Sequence, residues 1–214
     1  MMRLLGRDFR LMRSSSGSLW SSAAVFVLIC VTFAVGLGAS APVLTAVGPG
    51  VLWSAATLAV MMLAPSIFVV DIESGALDYL RLDGHTLSQV AGSKLVATAI
   101  FVLLPLLFAA VLVGSIYGMS WDQIRRLVLS LAVGGPSLVA YCVFAGALLA
   151  GWGRGSLLSL ILTLPLLLPV IIFGEAAAAS HDAGAALKAL VGLSLVSVVL
   201  STVASAAALG INAE

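Results

Sequence analysis

Charged side chains are scarce in this chain of 214 residues. Lysine, arginine, aspartate and glutamate together make up 9% of the residues, whereas hydrophobic residues make up 62%, and the mean hydropathy is +1.21. A water-soluble domain needs far more polar side chains to cover its surface. The composition therefore predicts an integral membrane protein.

Cysteine is rare too, and the net charge is close to zero. Cys30 and Cys142 each lie in an apolar run without a CxxC motif, so neither a disulfide framework nor covalent haem attachment is indicated. A formal charge of +1 without a long basic run gives no electrostatic surface for nucleic acid. We therefore expect no cysteine-based site and no nucleic-acid partner.

What the sequence does contain is a series of apolar segments. Each has about 18 to 24 residues, enough for a helix to cross a hydrocarbon core of about 30 Å. Helices are expected because backbone polar groups in lipid must be satisfied within each segment. The predicted spans are residues 19–38, 47–70, 95–117, 127–150, 157–174 and 189–209. The fold class is thus an all-α membrane protein with a six-span domain at 19–210.

The first residues, 1–18, precede the spans. Their "RLLGRDFRLMR" predicts a basic amphipathic helix in the membrane interface, although a simple topology signal would explain the arginines equally well. The small residues at 39–41 resemble a signal-peptidase site. However, the apolar run before them is longer than a signal core, so we interpret it as a span that is retained.

Basic residues are unevenly distributed between the two sides of the predicted spans. One side would hold Arg3, Arg7, Arg10, Arg13, Arg81, Lys94 and Arg154, and the other Arg125, Arg126 and Lys188. Cytoplasmic loops carry the excess of lysine and arginine. The distribution therefore predicts that both termini are cytoplasmic.

The sequence contains no residue pattern that would let the chain drive transport by itself. None of the six predicted spans contains an Asp, Glu, Lys, Arg or His, so a proton relay and a catalytic base at membrane depth are missing. No GxxxxGK[ST] loop occurs, and "GWGRGS" at 151–156 follows no strand, so it is interpreted as a tight turn. An enzyme is therefore not expected. Sodium coupling at proline-broken helices stays open as an alternative.

The acids, in contrast, are concentrated in the stretch "VDIESGALDYLRLDGH" at 70–85, which holds four of the nine. Drawn as one helix, it places Asp71, Asp78 and Arg81 on one polar face, opposite an apolar stripe that includes Tyr79 and Leu80. An acidic face suits a basic groove on a partner protein better than anionic lipid. A merely solvated loop, with Gly75 marking a bend, is the alternative.

A second polar stretch, "GEAAAASHDAGAALK" at 174–188, follows the fifth predicted span. In the predicted topology it faces the periplasm, as short helices or a plain connection. Glu175 and His181 are candidates for contact with haem or a haem chaperone, although a single loop histidine is usually solvated.

With these residues identified, the chain resembles the haem exporter protein B (CcmB) family over nearly its whole length. The resemblance rests on the order and spacing of several short motifs. They are "GPGVLW" at 48–53, "DIESGALDYLRL" at 71–82, "LPLL" at 104–107, "GGPSL" at 134–138, "GWGRGSLLSLILTLPLLLPVIIFG" at 151–174 and "ASAAAL" at 204–209.

The resemblance implies the permease subunit of the cytochrome c maturation ABC transporter, an ABC-2-type exporter in the bacterial inner membrane. It implies partners: a cytoplasmic ATPase subunit that binds the ATP, a second copy of the chain, a membrane haem-handling protein, a small single-span subunit and, indirectly, a periplasmic haem chaperone. No cofactor or metal is expected on the chain itself, and haem is a candidate substrate.

The resemblance also implies a coupling helix in the loop at 71–94, which would dock on the ATPase. That role falls on Asp71, Glu73, Gly75, Leu77, Asp78, Leu80 and Arg81. The leading hypothesis is an ATP-driven haem permease. The alternative is a non-transporting scaffold in which ATP hydrolysis releases the haem-loaded chaperone.

Overall fold

The structure is a computed structural model that describes residues 4, 6–10, 16–38, 40–152, 157–180 and 183–211. Regular structure in these residues is helical, and residues 6–10 form a short helical segment. The long helices are α1 (Ser16–Gly36), α2 (Ala41–Met61), α5 (Leu87–Ile116), α6 (Trp121–Trp152), α7 (Leu157–Ala179) and α8 (Gly184–Ile211). Between α2 and α5 lie a 3₁₀ turn (Ala64–Ser66) and two short helices, α3 (Val69–Glu73) and α4 (Ala76–Leu82).

Four helical stretches among the described residues are long and apolar enough to cross a membrane. They are Pro42–Glu73, Leu87–Ile116, Trp121–Ala150 and Gly184–Gly210. Shorter apolar helices cover Ser21–Gly36 and Thr163–Ala179. The predicted class, an all-helical protein that crosses the membrane several times, is thus confirmed for the described part of the chain.

Helix α6 is the centre of the bundle and packs against α5, α7 and α8. The largest side chain in this core is Trp53 of α2, whose Nε1 donates a hydrogen bond to Ser130 Oγ of α6 at 3.0 Å. A Cβ added at Gly134 or Gly174 would lie 2.6 or 2.4 Å from the indole ring. These glycines leave the space that the ring occupies, so α2, α6 and α7 approach one another closely.

Small residues of α6 and α8 lie buried at contacts between elements. Gly146 of α6 lies against the 3₁₀ turn, where a Cβ would come within 2.8 Å of the Ala64 carbonyl oxygen. In α8, Ser197 Oγ donates a hydrogen bond to the Tyr141 hydroxyl oxygen at 2.8 Å. Both contacts join α6 to a neighbouring element, as expected for small residues within a membrane bundle.

The helices extend beyond the apolar segments found in the sequence. Helix α5 begins at Leu87 with a capping box of Thr86 and Gln89, so Lys94 lies inside this helix. Helix α6 begins at Trp121 and includes Arg125, which is exposed beside Asp122 at 3.2 Å. Hydropathy marks only the part of a helix that lies in lipid, whereas backbone hydrogen bonding continues into the polar boundary.

We predict that Gly146→Ala lowers the thermal stability of the purified protein. The added methyl group meets a backbone oxygen, which cannot rotate away, so α6 must shift from the 3₁₀ turn at a cost of about 1–3 kcal/mol. Gly192→Ala in α8 is the matched control, because nothing lies within 4 Å of its added Cβ and alanine favours a helix interior. The melting temperature in detergent should fall for the first variant alone; an equal fall in both would contradict the close contact.

Candidate functional site: the elbow and its ionic cluster

The acidic stretch between α2 and α5 forms an elbow, defined here as residues 69–86. Helix α3 ends at Glu73 and α4 starts at Ala76. Between them Gly75 has a φ of +64°, a left-handed conformation that residues with a Cβ rarely adopt. The prediction of one continuous helix through this stretch is therefore wrong, because the chain bends at Gly75.

The bend separates Asp71 from the other acids and directs it into the protein. Asp71 is 1% exposed. Its carboxylate accepts hydrogen bonds from Arg7 Nη2 and from Lys94 Nζ. The predicted shared polar face is corrected here, since Asp71 is bonded to other parts of the chain and does not face solvent.

A second buried carboxylate lies beside the first. Asp8 is 3% exposed and accepts a hydrogen bond from Ser93 Oγ at 2.6 Å. Lys94 is 5% exposed, and its Nζ lies 3.9 Å from Asp8 Oδ1. Arg7, Asp8, Asp71 and Lys94 thus form what we call the ionic cluster, in which two cations face two carboxylates.

Burial is the dominant influence on Asp8. It raises the pKa of this carboxyl above its ordinary value of 3.8, and the Ser93 hydrogen bond and the charges of Lys94 and Arg7 oppose that shift only in part. The neighbouring Asp71 adds to the rise because like charges repel. The cluster therefore depends on close pairing of its charges, as buried ions generally do.

Apolar contacts surround the ionic cluster. Leu4 and Leu80 are buried together with Val90, and Leu77 packs against them. The Phe9 ring lies 4.9 Å from the Phe101 ring, centroid to centroid. Leu4 and Phe9 of the N-terminal segment therefore pack on the elbow and α5.

The opposite side of the elbow, which we call the displayed side, is exposed. Tyr79 is 70% exposed and Leu82 is 88% exposed, and Glu73, Arg81 and Asp83 beside them are exposed as well. Tyr79 and Leu82 thus add apolar area to a surface that is otherwise charged. The elbow thus has one buried side and one exposed side.

The residues predicted to couple to an ATPase are divided between these sides. Asp71 and Leu80 are buried, Leu77 is half-buried, Gly75 forms the bend, and Glu73 and Arg81 are exposed. Asp78 belongs to α4, but its side chain is outside the described part. The structure therefore brings these residues together in one elbow, but not on one face.

The predicted periplasmic candidates lie elsewhere. Glu175 is an exposed residue of α7 whose carboxylate lies beside Gly50 of α2, where a Cβ would come within 2.9 Å of Oε1. His181 is outside the described residues. Among the described residues, no group of three or more His, Cys, Asp or Glu side chains is arranged to hold a metal ion.

Sequence reasoning missed the pairing of Arg7, Asp8 and Lys94 with Asp71. It treated the two basic residues as topology signals and did not consider Asp8. One signal was present: Asp71 directly follows one predicted span and Lys94 directly precedes the next. Charges at adjoining span ends meet when those ends pack together.

Comparison with known proteins fits this architecture. The chain matches the model of the CcmB protein family over residues 1–212. It belongs to the CcmB family. Its relatives include "Heme exporter protein B" of Paracoccus denitrificans, 34% identical over 99% of both chains, and that of Rhodobacter capsulatus, 33% identical over 99% of both chains. The Escherichia coli K12 protein of the same name is 31% identical over 99% of this chain and 98% of its own length.

We predict that Asp71→Ala strongly destabilises this CcmB family member. The substitution leaves Lys94 buried without its main partner, and breaking a buried ion pair costs about 3–5 kcal/mol. Asp83→Ala is the matched control in the same elbow, because Asp83 is exposed and its contact with His85 at 3.5 Å is a surface pair worth at most about 1 kcal/mol. Melting temperatures in detergent measure both; similar values for the two variants would contradict the buried cluster.

The raised pKa of Asp8 also predicts how stability depends on pH. A carboxyl with a raised folded-state pKa holds its proton more tightly in the folded than in the unfolded protein, so its contribution to stability falls as pH rises from the unfolded value towards the folded one. In Asp8→Asn this contribution is absent. The melting temperature of the wild type relative to this variant should therefore be higher at about pH 4 than at about pH 7. The reverse trend would show that ion pairing outweighs burial.

Proposed function

We propose that this chain is the membrane permease subunit of an ABC transporter that delivers haem for c-type cytochrome biogenesis. Membership of the CcmB family and the name of the relatives, "Heme exporter protein B", support this function. The observation that carries it is the elbow, which is anchored on one side and displays Tyr79 and Leu82 on the other. Such an element suits the transfer of movement from a separate ATPase.

The proposed topology has six crossings of the bacterial inner membrane with both termini in the cytoplasm. Beyond the four long apolar stretches, α1 has 21 residues and α7 has 23. At about 1.5 Å per residue, each of these helices reaches across a hydrocarbon core of about 30 Å. The excess of lysine and arginine on the elbow side supports the orientation.

The elbow is proposed to dock in a groove of the cytoplasmic ATPase. Tyr79 and Leu82 would fill apolar pockets, and Glu73 and Arg81 would fix the orientation by charge pairing. Asp71, Leu77 and Leu80 would hold the elbow in place through the contacts on its buried side. Gly75 would supply the bend, and Asp78 stays a docking candidate within α4.

The remaining proposed partners follow from the family. They are a second copy of the chain, a membrane haem-handling protein, a small single-span subunit and a periplasmic haem chaperone. In the proposed topology Glu175 and His181 face the periplasm and would contact haem or its chaperone. ATP would be bound by the ATPase partner, and haem would be a substrate.

We predict that Tyr79→Ala combined with Leu82→Glu reduces copurification of the ATPase subunit about tenfold or more, because docking surfaces depend on a few large side chains. Trp121→Ala is the control, since Trp121 is a large exposed side chain at the start of α6 and should have no effect. Copurification is measured from native membranes with equal amounts of each variant. Unchanged copurification of the double variant would exclude docking through the displayed side.

The function itself is tested by reconstituting the complex in liposomes. ATP-dependent movement of haem across the bilayer is the expected result. Release of the chaperone without haem movement would instead support a non-transporting scaffold. Transport by this chain alone, driven by a sodium gradient, would contradict the need for an ATPase.

A further inference from the structure

Residues 6–10 connect the elbow to α5, although they are distant from both in sequence. Arg7 donates a hydrogen bond to Asp71 of the elbow, and Asp8 accepts one from Ser93 of α5. Two adjacent residues of one short segment thus hold two different elements through buried polar groups. An N-terminal segment that served only as a topology signal would need neither contact.

Lys94 makes the same connection directly. It belongs to α5, donates a hydrogen bond to Asp71, and lies 3.9 Å from Asp8 and 5.9 Å from the centre of the Phe68 ring. The elbow is therefore joined to α5 twice, once through Lys94 and once through the N-terminal segment. Both attachments end at the Asp71 carboxylate, so this one residue of the elbow is held by the N-terminal segment and by α5.

Apolar contacts hold the same three parts together. Phe9 packs on Phe101 of α5, and Leu4 is buried with Leu80 of the elbow and Val90 of α5. On the opposite side of the elbow, Tyr79 is 70% exposed and Leu82 is 88% exposed. A force applied to the displayed side would otherwise be absorbed by bending at Gly75.

We propose that residues 6–10 form a clamp that makes the elbow move together with α5. The clamp rests on the proposed function, because it defines where the movement of a docked ATPase is delivered. Arg7 and Asp8 are positioning residues in this scheme, since they hold the elbow and have no role in binding ATP or haem. The N-terminal segment thereby takes part in passing the movement of the elbow to α5.

The first experiment tests the clamp in the purified chain without any partner. Phe9→Cys and Phe101→Cys are introduced together with Cys30→Ala and Cys142→Ala, and a short bifunctional thiol reagent links residues 9 and 101. Asp71→Asn, which removes the charge and keeps the side-chain shape, should reduce the yield of this link about tenfold. Arg10→Ala is the matched control, because the bond that Arg10 makes among the described residues is to the Gly6 carbonyl of its own segment. A link that forms equally well in all three proteins overturns the clamp.

The second experiment measures coupling in the reconstituted complex as haem delivered per ATP hydrolysed. Arg7→Ala should lower this ratio about tenfold while the ATPase still copurifies, whereas Arg10→Ala should leave it unchanged. A covalent link between residues 4 and 80, made through Leu4→Cys and Leu80→Cys, joins the segment to the elbow again, because Leu4 and Leu80 are buried together. This link should restore the ratio in Arg7→Ala, which distinguishes lost positioning from a folding defect. An unrestored ratio in the linked protein overturns the clamp.

The two experiments separate the clamp from the function on which it rests. If the wild-type chain binds no ATPase, the proposed function fails, and the partner-free cross-link still shows whether the segment holds the elbow on α5. If ATPase binding and haem delivery are normal but the cross-link is insensitive to Asp71→Asn, the clamp fails and the proposed function stands.

Discussion

The arrangement at the elbow depends on the burial of the Asp71 carboxylate between two cations. Removing a carboxylate from water costs several kcal/mol unless its partners are close and well placed. Arg7 and Lys94 supply these partners from opposite directions of the sequence. Because Asp71 is bonded to both cations, the elbow, the N-terminal segment and α5 are held in one place.

This constraint explains why the elbow is bent. A straight helix through the stretch would place Asp71 and Asp78 on one face, where Asp71 could not reach Lys94 while α4 stayed at the surface. The left-handed conformation at Gly75 lets Asp71 of α3 point into the protein. It also lets α4 bury Leu80 while Tyr79 stays exposed. The bend therefore allows a buried salt bridge and an exposed surface to lie within one short stretch of the chain.

Much of the fold could be predicted from the sequence, because lipid imposes a simple rule on composition. Apolar segments of membrane length had to be helices, and small residues within them are typical contact points, as Gly146 and Ser197 are.

The site was harder to predict. Periodicity describes one helix at a time, so it could place Asp71 on a face but could not show that Arg7, 64 positions away along the chain, lies against it. The same limit hid the pairing of Leu4 with Leu80, since both were assigned to surfaces facing lipid or a partner.

The distribution of charged residues along the chain is consistent with the proposed function, in which a separate ATPase supplies the movement. Within the predicted spans the sequence has no Asp, Glu, Lys, Arg or His, the residue types that relay protons at membrane depth. The buried charges lie instead at the ends of α5 and of the stretch Pro42–Glu73, and in the ionic cluster they balance one another. A balanced cluster carries no net charge for a membrane potential to displace, but it resists separation of its members. Such a cluster is suited to holding the elbow, the N-terminal segment and α5 in a fixed arrangement.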